Sequence, residues 1–192
     1  MIRRALAVLF LASATACNTC GSTPSDGDGG PPATDAAEPV VHLERTPETE
    51  RLWTEAKDGD ENELSRLANV EGAAGLAERA ADPAYRRTAL RAMAYAEGFA
   101  QLPTLGDAAA KGAPDEAQIA AESAAILAAR VRRPVDPEDA EELKIGCTAL
   151  LAAAKDVGRP RPVRLAAIRA LRMLVDDHGV AAADIPTDLD AK

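Results

Sequence analysis

The chain has 192 residues, 47% of them hydrophobic but only 3% aromatic, and carries a net charge of −9 from 22 basic and 31 acidic side chains. That length allows one domain with appendages, and an acidic surface repels polyanions, which excludes nucleic acid and anionic membrane faces as partners. A core short of aromatic residues must be packed by Ala and Leu; Ala is the best helix former, and with no strand-length alternating run of β-branched residues the expected fold class is all-α.

Residues 1–16 read as a secretory signal. Arg3 and Arg4 supply the charged start, Ala5 to Ala14 the apolar run, and Ala14-Thr15-Ala16 the small-residue cleavage site. The apolar run is too short to span a bilayer, which needs about 20 residues. Its removal leaves 20 basic against 31 acidic residues, a charge of −11.

Cys17 follows the cleavage site directly. The arrangement resembles a bacterial lipobox, which implies an acylated Cys17 at the mature N-terminus. Ordinary signal-peptidase cleavage of the same bond, leaving Cys17 free, is the alternative. Residues 17–45 then form a tether rich in Gly, Pro, Ser, Thr and Asp, with little to bury. Such a spacer reaches on the order of 25–30 Å. Asn18 after Cys17, by the same resemblance, implies the outer membrane of a Gram-negative bacterium.

The folded part, residues 46–192, is expected to start with Thr46 as N-cap and Pro47 in the first helical turn. Asp60 and Glu63 have capping-box spacing ahead of Leu64, Leu67 and Ala68, and Gly72 and Gly75 weaken the second half of that helix. Asp82-Pro83 reads as the next start, with Tyr85, Ala89, Met93 and Ala96 on one face. Thr104 is the expected cap of a short helix ended by Gly112. A long helix from Pro114 to Val131 carries Ile119, Ile126 and Leu127. Asp136-Pro137 opens a helix buried through Leu143, Cys147, Leu150 and Ala154, and Pro162 opens one reaching about Asp177. The expected total is about eight helices in antiparallel pairs.

Two of these helices repeat each other. Tyr85 to Met93 lies over Val163 to Leu171 without a gap, both reading apolar-Arg-x-small-Ala-aliphatic-Arg-Ala-aliphatic. Their offset is close to twice the ~40-residue period of two-helix repeats. This pattern, shortly after a Pro-marked turn, resembles a HEAT-like repeat of the kind also found in phycobilisome-lyase-type proteins. The resemblance implies an α-solenoid of stacked antiparallel helix pairs that binds other proteins along a concave surface. It also implies that Arg86 and Arg164, fixed in the motif, are structural.

The remaining chemistry is sparse. Cys17 and Cys20 have CxxC spacing but lie in a spacer rather than at a helix start, and Cys147 falls on an apolar stripe, so a buried structural thiol is expected. His42 and His178 are the two histidines, and neither has a second ligand at metal spacing. No Ser/His/Asp or Cys/His set is legible, so no catalysis, cofactor or metal is expected. Arg130, Arg132, Arg133, Arg159 and Arg161 crowd helix ends, where they either form one basic edge for an acidic partner or bond helix carbonyls and nearby Glu residues. The function expected is a lipid-anchored, non-catalytic scaffold for an unknown protein partner in the cell envelope, in contact with the membrane through its anchor. An enzyme or accessory lyase-like protein, and a small-ligand or metal sensor, are the rival readings.

Overall fold

A computed structural model describes residues 46–131, 139–174 and 180–189, all within one compact unit, residues 42–192. The leader, Cys17, the tether, the Asp136-Pro137 start and the end of the last helix lie outside the described residues. Seven α-helices occur in order: α1 Pro47–Ala56, α2 Glu61–Ala81, α3 Arg86–Ala92, α4 Leu102–Lys111, α5 Pro114–Arg130, α6 Ala140–Lys155 and α7 Arg161–Leu174. Short 3-10 turns stand at Met93–Tyr95 and Ala182–Asp184, and no strand occurs among the described residues. The described part of the chain is all-helical.

Local chemistry sets most of the starts. Thr46 accepts a hydrogen bond from the Thr49 N–H and Pro47 stands in the first turn of α1. Asp60 and Glu63 close the capping box of α2. Gly72, at φ 64° and ψ −173°, bends α2 without ending it, in a backbone region essentially reserved for glycine. Two starts differ from expectation. The Asp82 carboxylate does cap a turn, accepting from the Ala84 N–H, but the helix proper begins at Arg86. Thr104 lies inside α4, which starts at Leu102 with Gln101 ahead of it and no side-chain cap.

The helices pack as pairs, α2 with α3, α4 with α5 and α6 with α7, while α4 lies on α6, α5 on α7 and α3 on α5. The stacked helices run parallel. On one side Arg86 meets Glu116 at 3.6 Å and the Ala94 carbonyl meets Arg130, so α3 and α5 advance together. On the other, Leu102 faces Gly146 and Gly106 faces Ala149. A Cβ on Gly146 would stand 2.5 Å from Leu102 Cγ and 2.8 Å from the Leu102 carbonyl carbon, and one on Gly106 would stand 2.8 Å from Ala149 Cβ. The α4–α6 crossing therefore requires glycine on both helices.

The core is mostly Ala and Leu, as the composition requires. Leu90, Met93, Ile168 and Leu171, the paired positions of the two repeat helices, are all buried to within 1%, while Arg169 is exposed. The buried face of α5 is mostly alanine. Leu127 is buried, but Ile126 is 40% exposed and Ile119 only partly covered. Ala117, Ala120, Ala121 and Ala124 make the contact instead, because small side chains let α5 approach α3, α4 and α7 closely. At the far end Val180 and Ile185 close over α7, and Asp188 accepts a hydrogen bond from Arg164.

Candidate functional site

The arginines singled out by sequence occupy separate places. Arg159 Nη1 donates to the Gly112 carbonyl at 2.6 Å and Nη2 to the Ala110 carbonyl, so it caps the end of α4. Arg130 Nη1 donates to the Ala94 carbonyl at 3.3 Å and its guanidinium lies 4.9 Å from the Tyr95 ring centre. Arg161 is exposed at the first position of α7. Arg132 and Arg133 lie outside the described residues. Arg159 sits beside the start of α5 and Arg130 at its end, roughly 25 Å away at 1.5 Å per residue. These two do not share one edge. Each is spent on backbone carbonyls.

The same use recurs through the fold. Arg86 Nε donates to the Ala80 carbonyl of α2 at 2.7 Å, and its repeat counterpart Arg164 Nε to the Ala154 carbonyl of α6 at 2.9 Å. Arg91 donates to the carbonyls of Lys57 and Gly59 after α1. A helix C-terminus leaves four carbonyls without partners and carries partial negative charge, and a guanidinium answers both. In every pair the first helix ends on an arginine from elsewhere in the chain: α2 on Arg86, α4 on Arg159, α6 on Arg164.

A second polar cluster binds α1 to the rest. Arg79 is 5% exposed, lies 4.2 Å from the Tyr85 ring centre and 5.1 Å from that of Trp53, and donates through Nη2 to Glu50 at 2.5 Å. Trp53 Nε1 donates to Glu71 at 2.5 Å and meets Tyr85 edge-on at 5.4 Å. Burial opposes the Arg79 charge, but its hydrogen bonding with Glu50 and Tyr85 outweighs this and raises its pKa above the ordinary arginine value. Arg79 Nη1 has no hydrogen-bond partner among the described residues; the aromatic face beside the guanidinium takes its place. The cluster's charges and rings are thus engaged mainly with one another.

Open space lies instead between α2 and α5. A hollow of about 220 Å³ is lined by Asp60, Glu61 and Leu64 from the start of α2, Arg91 and Tyr95, and Ile119, Glu122 and Ile126 from α5. A hollow of about 390 Å³ continues past Tyr95 to Asn69, Glu97 and Arg130. Tyr95 lines both, so the two hollows adjoin at its side chain as one interrupted groove. Its α5 lining, from Ile119 to Arg130, spans about 16 Å at the helical rise. The exposed Ile126 and the partly covered Ile119 supply its apolar surface. Asp60 is held below the usual carboxylate range by hydrogen bonding with Glu63 and the Asn62 N–H, so it is ionised at neutral pH. Among the described residues Glu61 and Glu97 make no ion pair.

A further open cleft of about 500 Å³ lies where α2, α3, α4 and α5 meet, but its charges are internally matched: Arg86 with Glu116 at 3.6 Å and Lys111 with Asp107. Cys147 is fully buried and burial pushes its thiol up to about 11, far from the thiolate a nucleophile needs. Among the described residues no group of three or more His, Cys, Asp or Glu is arranged to hold a metal, and no helix is long and apolar enough to cross a membrane. No family model matches the chain, and neither a curated protein nor a solved structure is significantly similar to it.

Proposed function

We propose that this chain is a non-catalytic protein-binding scaffold, a short α-solenoid of HEAT-like helix pairs held in the bacterial cell envelope by acylation of Cys17. The observation that carries the binding role is the groove between α2 and α5, where Ile126 faces outward and Ile119 and Tyr95 are partly exposed, although the neighbouring alanines supply most of the packing. Exposed apolar residues gathered in a concavity with a polar rim favour a macromolecular partner. The parallel register of α3 with α5 and α4 with α6 supports the solenoid reading, since repeated helix pairs stack that way. The anchor rests on the apolar leader and the Ala16-Cys17 junction alone.

The test is a photo-crosslinking residue at position 126 in living cells, with the same residue at Ile145, exposed on α6 outside the groove, for comparison. A protein adduct formed at 126 and not at 145 is the expected result. Adducts at 145 alone would remove the groove from the reading. In the same cells the parent chain should fractionate with membranes and Cys17→Ser should be released; a Cys17 found unmodified by mass spectrometry would refute the anchor.

A further inference from the structure

Resting on the scaffold reading, we infer that the groove between α2 and α5 receives a short basic segment of a partner protein that carries at least one apolar side chain. Ile126, 40% exposed, with the partly exposed sides of Tyr95 and Ile119, offers the apolar surface. Asp60, Glu61, Glu97 and Glu122 surround it with four carboxylates. Among the described residues two cations, Arg91 and Arg130, line the groove, and both are directed to backbone carbonyls, at Lys57, Gly59 and Ala94. An incoming Lys or Arg therefore meets carboxylates, two of which (Glu61 and Glu97) have no ion pair to give up among the described residues. Such complementarity steers association and rejects acidic competitors.

The charge pattern separates the possible occupants. Within residues 18–45 stand Asp26, Asp28, Asp35, Glu38 and Glu44 against the single Arg45, so the chain's own N-terminal segment is repelled. A second copy, at −9 overall, approaches against the same sign. A basic segment of a different protein is the occupant the groove attracts.

The probe is a fluorescent amphipathic Lys/Leu peptide titrated into the full chain, with its Glu/Leu counterpart as control. The Lys/Leu peptide should bind and the Glu/Leu peptide should not. Charge reversal at two exposed groove positions, Glu97→Lys with Glu122→Lys, should weaken binding about tenfold, since two exposed charge contacts together are worth roughly that factor. The equal change in net charge outside the groove, Asp107→Lys with Asp184→Lys, should leave binding unaltered, and melting curves must show both variants folded. Equal loss in the two variants reduces the effect to bulk charge and overturns the inference, as does binding of the Glu/Leu peptide or absence of binding. Sequencing the in-cell adduct at position 126 separates this inference from the reading beneath it. An acidic segment of another protein there overturns the basic-segment inference and leaves the scaffold standing. Residues 17–45 or a second copy there overturn both.

Discussion

Gly146 shows how a residue that weakens a helix can be required by it. Glycine within a helix costs about 1 kcal/mol relative to alanine, so Gly146→Ala should stabilise if α6 stood alone. The added methyl would instead lie 2.5 Å from Leu102 Cγ and 2.8 Å from the Leu102 backbone, and backbone does not step aside as a flexible side-chain end does. Overpacking of that kind costs about 1–3 kcal/mol. We expect Gly146→Ala to forfeit the propensity gain and lose up to about 2 kcal/mol net in urea denaturation, and a stabilised variant would show that α4 and α6 do not approach this closely. Cys147, one position along, makes a prediction about pH. Its folded pKa is raised by burial to about 11, above the ~8.5 of an exposed thiol. The folded state therefore prefers the protonated form; the contribution is complete below pH ~8.5 and disappears as pH climbs toward about 11. Cys147→Ala should flatten the stability profile across that window, and the parent thiol should resist iodoacetamide near pH ~8, below its unfolded pKa, until the chain is unfolded.

At the scale of elements the arginine caps separate charge from hydrogen bonding. Arg164 makes one bond to a buried carbonyl and one to Asp188, which is 54% exposed. An exposed carboxylate contributes under ~1 kcal/mol, so Asp188→Asn should scarcely move the melting midpoint. Arg164→Ala leaves the α6 carbonyl without its donor in a dry setting and should cost about 1–3 kcal/mol. Arg164→Lys should not restore it, because an ammonium lacks the fork that reaches two acceptors at fixed geometry. Equal losses in Asp188→Asn and Arg164→Ala would mean that the ion pair, and not the cap, carries the interaction. The caps also mark how far sequence alone reaches. Thr46, Asp60 and Glu63 act within one helical turn, so their roles are legible from spacing. Arg159 reaches Gly112 across 47 residues, and nothing in spacing points there. The α5 face escapes a sequence reading for a related reason: its many alanines satisfy any helical phase, so spacing does not say which way Ile119 and Ile126 face. The need for glycine at 106 and 146 is likewise invisible until the helix each one touches is known.

For the whole molecule the repeat is the governing feature, and it is legible because it rests on large residues at matched positions. Leu90, Met93, Ile168 and Leu171 are buried together, so Ile168→Ala or Leu171→Ala should cost about 2–5 kcal/mol. Arg169→Ala, on the exposed side of α7, should cost under ~0.5 kcal/mol. Because α7 packs on α5 and α6 and not on α1, hydrogen exchange in Leu171→Ala should quicken in α5 to α7 first. Uniform acceleration out to Trp53 in α1 would indicate a single indivisible core. The groove leaves no mark in the sequence, since it exists only where the start of α2, the turn after α3 and the outer face of α5 converge. One consequence of Arg159 concerns the order in which the protein comes into being. The α4 carbonyls at Ala110 and Gly112 wait for a guanidinium 49 and 47 residues downstream. At ~5–20 residues per second of synthesis, the nascent chain carries an unfinished second pair for roughly 2–10 s, and a stalled or shortened product ending after α5 never completes it. Proteolytic quality control would find the same bond to cut in every such fragment, near Gly112.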